Sequence, residues 1–225
     1  MLRQATADER RYTRTSPEVN GELASGSYGT VYLAGDTTTT QLVAIKRQEL
    51  PDKAAENELL VHVTWLRFPH PNLISMLDWY VKNSALFLVL PLCDTSVHFL
   101  FKFQAPLRAD RVGPIAQQLT AGIRHMHRHL VIHGDLSMKN VLVDRDGVVR
   151  VGDFGSAHSA HGNLVAEERA TPYCRSPERW LGSSTLEAPA DLWAIGVIIL
   201  ALLAGDLPWL SASKVESWWK AIAPL

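Results

Sequence analysis

The first part of the chain contains short apolar runs separated by turn-forming residues, a pattern that is typical of β-strands. Strands are predicted at 30–34 and 42–46, and a further strand at 85–90 ends at a proline. One helix is predicted between them, at 53–66. The pattern therefore predicts a β-rich first part that contains a single helix.

After Leu107 the apolar residues recur every three or four positions, which is the period of an amphipathic helix. These positions are Val112, Ile115, Leu119, Ile123 and Met126. Short apolar runs at 141–143 and 148–151 flank the turn sequence DRDG and predict a hairpin. The second part of the chain is therefore predicted to be mainly helical, and the join between the parts is expected near Leu92–Asp94.

The longest apolar run, Leu192 to Gly205, contains 14 residues. This is fewer than the roughly 18 residues that suggest a membrane span, so a buried core helix is predicted at 191–204. Residues 1–18 are polar and contain no apolar segment of a secretory signal. They are predicted to form a disordered or loosely docked tail.

Composition and charge narrow the classes of protein. The 225 residues are 47% hydrophobic, which is enough for a core, and the net charge is −1. This balance points away from nucleic-acid and membrane-surface binding. Cys93 and Cys174 are the only cysteines, which argues against a disulfide framework and fits a reducing compartment. An intracellular location, cytoplasmic or nuclear, is expected.

Two segments carry the strongest chemical signal. The run His133–Asn140 (HGDLSMKN) brings a carboxylate, a lysine and an amide together, and Asp153–Gly155 (DFG) begins 18 residues after Asp135. They resemble the catalytic loop and the metal-binding segment of eukaryotic-type protein kinases. Further matches follow in the order that the family has: Leu23–Val31 (LASGSYGTV), Val43–Lys46 (VAIK), His70–Asn72 (HPN), Ser176–Glu178 (SPE) and Asp191–Gly196 (DLWAIG).

The resemblance covers roughly residues 19–225 and implies an α+β fold. It is the bilobal protein-kinase-like fold, with a small β-sheet N-lobe and a mainly helical C-lobe. The implied organisation is a polar tail at 1–18, the N-lobe and hinge at 19–93, and the C-lobe at 94–225. Only 29 residues follow Gly196, whereas C-lobes of this family continue for several more helices. A C-terminally truncated, incomplete C-lobe is therefore expected.

The resemblance also implies a reaction, the Mg²⁺-dependent transfer of the ATP γ-phosphate to Ser or Thr of protein substrates. Asp135 would orient the substrate hydroxyl, and Lys139 would neutralise charge on the transferred group. Asn140 and Asp153 would bind Mg²⁺. Thr171 lies where Ser/Thr kinases place a threonine that bonds toward the catalytic aspartate.

Lys46 is expected to hold the α and β phosphates and to pair with a glutamate of the following helix. Glu58 and Glu56 are both candidates, and Glu58 is preferred because the apolar residues around it fit the family pattern. His62 departs from that pattern, since an apolar residue is expected there.

ATP is expected between the two lobes. The glycine-rich segment lets the backbone approach the phosphates closely. Leu90 would lie at the back of the adenine pocket, Leu92 and Cys93 would offer backbone hydrogen bonds, and Leu142 would form the floor. The full expected nucleotide set is Leu23, Gly26, Ser27, Gly29, Val31, Ala44, Lys46, Leu90, Leu92, Cys93 and Leu142.

Several positions depart from the family pattern. Ala24 replaces the first glycine of the loop, and Gly134 replaces the arginine that usually precedes the catalytic aspartate. Ser137 replaces a lysine that is usual in Ser/Thr kinases, although Thr171 still favours that class. An arginine just before the SPE run, here Arg175, resembles the pattern of the cyclin-dependent and MAP kinase group. An activating partner protein is an open expectation, and the sequence does not identify one.

Three other readings remain open on sequence alone. A pseudokinase, a binding or scaffold module, would fit Gly134 and the short C-lobe, although Lys46, Asp135 and Asp153 are all present. Small-molecule kinases of the aminoglycoside or choline type share the HGDL run, but they generally lack SPE and the DLWAIG helix. A docking surface formed by the aromatic end would use Trp209, Trp218 and Trp219.

Overall fold

The structure is a computed structural model that describes residues 11–14, 21–26, 29–160, 171–183 and 187–207. The chain divides into two compact units, one built from Met1–Pro69 with Ile74–Leu92 and the other from His70–Leu73 with Cys93–Leu225. The first unit is a curled antiparallel sheet with one helix, and the second is mainly helical. The predicted α+β class is confirmed.

Six strands form the sheet of the first unit. In spatial order they run β1-β3-β4-β6-β5, and β2 also pairs with β3. Every pairing is antiparallel. The strands are β1 (Tyr12–Arg14), β2 (Glu22–Gly26), β3 (Gly29–Asp36), β4 (Leu42–Glu49), β5 (Asp78–Lys82) and β6 (Ala85–Pro91).

The register of the sheet decides which side chains share a face. Val31 lies opposite Lys46, and Ala44 lies opposite Leu90. Because paired residues and residues two apart on a strand point to the same side, these four share one face. The odd-numbered residues of β4, such as Val43 and Ile45, lie on the other face in a cluster with Tyr12, Ala34, Tyr80 and Val89.

Helix α1, Lys53–Arg67, follows β4. It starts at Asp52, whose side chain accepts a hydrogen bond from the backbone N–H of Ala54, a favourable N-cap. Its buried face includes Glu58, His62 and the fully buried Trp65. Glu58 and His62 are polar, so α1 buries two polar side chains beside the ring of Trp65.

The prediction of a disordered or loosely docked tail at 1–18 is wrong for residues 11–14, the part of that segment that the structure describes. Tyr12–Arg14 forms β1 and pairs with the end of β3. Tyr12 is buried, its ring stacks on Tyr80, and its hydroxyl donates to Asp78 at 3.0 Å. Arg11 donates two hydrogen bonds to the carboxylate of Asp36. The apolar ring of Tyr12 and the charge of Arg11 thus give a short polar segment a docking site.

The second unit combines helices with short strand pairs. Strand β10 pairs with β9, which pairs with β7, and β11 pairs with β8. No helix among the described residues is long and apolar enough to cross a membrane. The elements are β7 (Thr95–Ser96), α2 (Val97–Gln104), α3 (Ala109–Arg128), β8 (Val131–Ile132), β9 (Val141–Val143), β10 (Val149–Val151), β11 (His158–Ser159), a 3₁₀ turn (Pro172–Cys174), α4 (Pro177–Trp180) and α5 (Ala188–Ala204).

Helices α3 and α5 pack against each other and form the centre of the second unit. Leu119, Ile123 and Met126, predicted as one face of a helix, are fully buried on α3. The buried residues of α5 include Ile198 and Leu202, so the predicted core helix is also confirmed. The carbonyl of Leu202 accepts from the N–H of Leu107, which ties the segment before α3 to α5.

Candidate active site

The loop His133–Asn140 lies between β8 and β9 in the second unit. Asp191, in the first turn of α5 and only 2% exposed, accepts hydrogen bonds from the backbone N–H groups of His133 at 2.9 Å and Gly134 at 3.1 Å. His127 of α3 lies 2.8 Å away through Nε2. A buried carboxylate thus fixes the start of the loop from a helix of the core.

Gly134 adopts a positive φ of 78°. Residues with a Cβ rarely adopt this left-handed conformation, so the glycine fits the local backbone. The same residue donates its N–H to Asp191. The glycine that replaces the usual arginine therefore occupies a position where the backbone has a left-handed conformation.

Asp135 is 8% exposed, and its Oδ1 accepts two hydrogen bonds from Thr171. The backbone N–H of Thr171 donates at 2.8 Å and its hydroxyl donates at 2.7 Å. Burial raises the pKa of Asp135 above its ordinary value, and the two Thr171 bonds act in the opposite direction. With Oδ1 occupied in this way, Oδ2 is the oxygen left for another donor.

Asn140 and Asp153 supply oxygen atoms in the same unit. The side-chain amide nitrogen of Asn140 donates to the backbone carbonyl of Asp135 at 2.8 Å, so its oxygen points away from that bond. The carbonyl of Asn140 accepts from Gly152, next to Asp153. Asp153 has a φ of 62°, a conformation that non-glycine residues adopt mainly at constrained sites.

The oxygen atoms of Asn140 and Asp153 suit a hard cation such as Mg²⁺. Among the described residues, no group of three or more His, Cys, Asp or Glu side chains is arranged to hold a metal ion. Mg²⁺ commonly takes one or two carboxylates and completes its shell with phosphate oxygens and water, so a two-residue set fits it. Phe154, fully buried, packs its ring 5.8 Å from that of His133 and anchors the segment.

Lys139 is exposed on the catalytic-type loop. The pKa of His98 is lowered mainly by the burial of that histidine, and the positive charge of Lys139 lowers it further. Within the described part of the chain, no hydrogen bond or ion pair joins Lys139 to Asp135. The structure thus places Lys139 on the expected loop but does not bring it into contact with the aspartate.

The first unit contains the other charged pair. Lys46 and Glu58 are 5% and 0% exposed, and Nζ lies 2.6 Å from Oε2. Gln48 donates its side-chain amide to the same oxygen at 3.0 Å. Glu56, the other candidate, is exposed on the first turn of α1. The structure pairs Lys46 with Glu58.

The glycine-rich segment corresponds to the end of β2 and the start of β3. Gly29 has a φ of 114°, and a Cβ there would collide with the carbonyl of Arg47, so this position requires glycine. Leu23 is 50% exposed, and space around Gly26 is open. Ser27 lies outside the described residues.

The remaining nucleotide positions are divided between the units. Val31, Ala44 and Leu90 share the sheet face of Lys46 in the first unit, where Leu92 is the last residue. Cys93 is half-buried at the start of the longer segment of the second unit, and burial raises the pKa of its thiol to about 11. In β9, Leu142 lies opposite both Arg150 and Ser96.

The SPE run begins the short helix α4. Arg175, just before it, places its guanidinium 4.7 Å from the ring centre of Trp180, and Ser176 is buried. The predicted aromatic docking residues Trp209, Trp218 and Trp219 lie outside the described residues. No statement about that surface follows from the structure.

Comparison with known protein families matches residues 18–224 to the protein kinase domain. The chain belongs to the protein kinase family. This kinase chain is 32% identical over 200 residues to a cyclin-dependent kinase-like protein of Caenorhabditis elegans, a match that covers 87% of the chain and 57% of the relative. It is 33% identical over 192 residues to cyclin-dependent kinase 10 of Homo sapiens, covering 81% and 53% of the two chains.

A probable cell division protein kinase of Encephalitozoon cuniculi is 32% identical over 185 residues, covering 80% of the kinase chain and 69% of the relative. The kinase chain thus spans a little over half the length of the first two relatives. These relatives agree with the similarity of Arg175 and its neighbours to the cyclin-dependent kinase group.

Sequence reasoning did not single out two residues of the kinase chain that contact the site. Gln48 could have been found from strand alternation, because it lies two residues after Lys46 and therefore points to the same face. His127 lies four residues after Ile123 on the buried side of α3, but nothing in the sequence indicates that its ring meets Asp191 from another helix.

Proposed function

We propose that this chain is a protein serine/threonine kinase domain that transfers the γ-phosphate of ATP to hydroxyl groups of protein substrates. The observation that supports it most is the double hydrogen bond from Thr171 to Oδ1 of Asp135. It leaves a buried carboxylate oriented by a neighbouring segment, with one oxygen available to a substrate hydroxyl.

Asp135 would accept a hydrogen bond from the substrate hydroxyl through Oδ2 and take its proton as the oxygen attacks the γ-phosphorus. The bond from that phosphorus to the bridging oxygen breaks, and ADP leaves. Burial raises the pKa of Asp135, which favours acceptance of the proton. The three contacts to Asp191 keep the start of the loop fixed during this step.

Asn140 and Asp153 would hold Mg²⁺, consistent with the orientation of the Asn140 amide and the constrained backbone of Asp153. The cation, when bound, would neutralise negative charge on the phosphates. The residues of the chain contribute only fixed oxygen atoms at this point. Lys139 would approach the transferred group only after its exposed side chain turns toward it.

Lys46 would hold the α and β phosphates, with Glu58 fixing its ammonium. The sheet face that carries Val31, Ala44 and Leu90 would contact the adenine from one side. Leu92 and Cys93 would offer their backbone groups to the adenine edge, and Leu142 would contact it as well. Leu23, Gly26, Ser27 and Gly29 would complete the nucleotide set from the glycine-rich segment.

The proposed substrates are proteins with Ser or Thr acceptors, because Thr171 lies where Ser/Thr kinases place this residue. Relatives named as cyclin-dependent kinases make a cyclin-type protein a candidate activator. Testing transfer with and without such a protein would show whether the chain needs one.

Asp153→Asn and Lys46→Met test the proposal. Both variants are expected to abolish transfer from ATP to a protein substrate, while the far-UV circular dichroism of Asp153→Asn stays that of the wild type. Phosphoamino-acid analysis of the product should find phosphoserine or phosphothreonine. Retained transfer in a clean Asp153→Asn preparation would contradict the mechanism. Nucleotide binding without transfer by the wild type would instead favour a binding module.

A further inference from the structure

A third side chain contacts the buried Lys46–Glu58 pair. Gln48 is 4% exposed and donates its amide nitrogen to Oε2 of Glu58 at 3.0 Å, the oxygen that also contacts Lys46. We propose that Gln48 is a positioning residue that holds Glu58 in place while Lys46 binds the phosphates of a nucleotide. This inference rests on the proposed function.

The arrangement follows from the positions of these residues in the chain. Lys46 and Gln48 are two apart on β4, so both point from the same face of the sheet toward α1. Glu58 projects from α1 into the space between them. The other oxygen of the carboxylate, Oε1, faces His62 at 3.9 Å, which is beyond hydrogen-bond distance. Two donors from one strand thus hold the carboxylate through Oε2.

Lys46 and Gln48, the two donors to Glu58, are expected to behave differently when a nucleotide binds. Lys46 must then share its ammonium between Glu58 and phosphate oxygens, which weakens its hold on the carboxylate. Gln48 has no charge and no role toward phosphate, so its bond to Glu58 persists. With Gln48 present, Glu58 stays docked against β4 while Lys46 turns to the ligand.

The other end of the Gln48 amide indicates that stability alone does not explain this residue. Its oxygen, Oε1, is buried and has no hydrogen-bond partner among the described residues. A buried acceptor without a partner is unfavourable. The amide cannot rotate to relieve it, because the oxygen would then face the carboxylate. Gln48 thus carries a stability cost together with a contact to the phosphate-binding pair, a combination that is typical of functional residues.

Gln48 also lies beside the glycine-rich segment. A Cβ added at Gly29 would lie 3.1 Å from Cγ of Gln48, so the side chain passes directly beside this glycine. The substitution that tests the role should keep the unbranched shape at that point. Methionine has a similar length, carries no amide and is flexible enough to fit.

The experiment is a double-mutant cycle on nucleotide affinity, read by calorimetric titration with Mg-ATP or a non-hydrolysable analogue. Gln48→Met is expected to weaken binding about tenfold, the effect of losing one hydrogen bond to a charged group. In a Glu58→Met background, which has no oxygen to accept the Gln48 hydrogen bond, the same substitution should change affinity less than about twofold, because Gln48 acts through Glu58. The KM for the protein substrate should stay unchanged.

Thermal unfolding separates positioning from structure. Gln48→Met should melt at the wild-type temperature or above it, because the substitution also removes the buried acceptor. Gln41→Met, at an exposed glutamine next to the start of β4, is the matched control and should change neither quantity.

Equal losses of affinity in both backgrounds, or a fall in melting temperature that parallels the loss, would overturn the proposal. Wild-type affinity in Gln48→Met would overturn it too and would leave the kinase function untouched. A wild-type chain that binds no nucleotide would refute the proposed function and this inference together.

Discussion

Replacing Glu58 by glutamine removes one charge from a pair that is almost completely shielded from water. Lys46 is 5% exposed, Glu58 is 0% exposed, and their charged atoms lie 2.6 Å apart. Removing one partner of a buried pair costs about 3–5 kcal/mol, because the charge that remains loses the neighbour that offset its burial. The glutamine oxygen can still accept from Lys46, so the lower end, about 3 kcal/mol, is expected.

For a chain of this size that loss corresponds to a fall in melting temperature of about 6–12 °C. Thermal unfolding followed by circular dichroism measures it. Glu56→Gln is the matched control, since Glu56 lies exposed on the same helix and should change stability by no more than about 0.5 kcal/mol. Equal melting temperatures for the two variants would refute the reasoning that Glu58 forms the buried pair.

Three further predictions concern the second unit. Thr171→Val keeps the backbone hydrogen bond to Asp135 but removes the one from the hydroxyl, so kcat should fall about tenfold. Thr171→Ser keeps the hydroxyl and should stay near wild type. Equal kcat values for the two variants would contradict the positioning role of Thr171. Gly134→Ala places a Cβ at a φ of 78° and should cost about 1–2 kcal/mol in urea unfolding, and unchanged stability would be the contrary result. Burial raises the pKa of the Cys93 thiol to about 11, so Cys93 should react with iodoacetamide at pH 8 about tenfold more slowly than a free cysteine. Cys93→Ser is the blank. A reaction rate whose pH midpoint lies near that of a free thiol would contradict the burial argument.

Much of this architecture could be predicted from the sequence, because local patterns determine it. The helical period from Val112 to Met126 predicted α3, and its central residues are buried as expected. The β-strand patterns around Lys46 and Leu90 predicted two strands, which the structure shows as the neighbouring strands β4 and β6. In each case the residues that define the element are close in sequence, so no long-range contact was needed to find it.

The missing predictions depend on long-range contacts. Tyr12–Arg14 looks polar in isolation, and only its stacking on Tyr80 and its bond to Asp78 make it a strand. Helix α2, Val97–Gln104, was not predicted either, because its apolar residues form a nearly continuous run without a helical period. Such elements are stabilised by partners distant in the chain, which a local pattern does not contain.

The candidate site shows the same division. Motif spacing was enough to select Asp135, Asn140 and Asp153, since they lie on short loops next to strands. It did not reveal that His127 would lie beside Asp191, or that Lys139 would stay exposed. Those facts depend on side-chain directions, which spacing alone does not determine.

Phosphate transfer from labelled ATP to a generic basic protein, with and without Mg²⁺, tests the central claim most directly when Asp135→Asn is measured beside the wild type. The account predicts labelling that requires Mg²⁺ and disappears in the variant, although both proteins unfold at similar temperatures. Labelling that persists in Asp135→Asn, or a folded wild-type chain that binds Mg-ATP and transfers nothing, would contradict it.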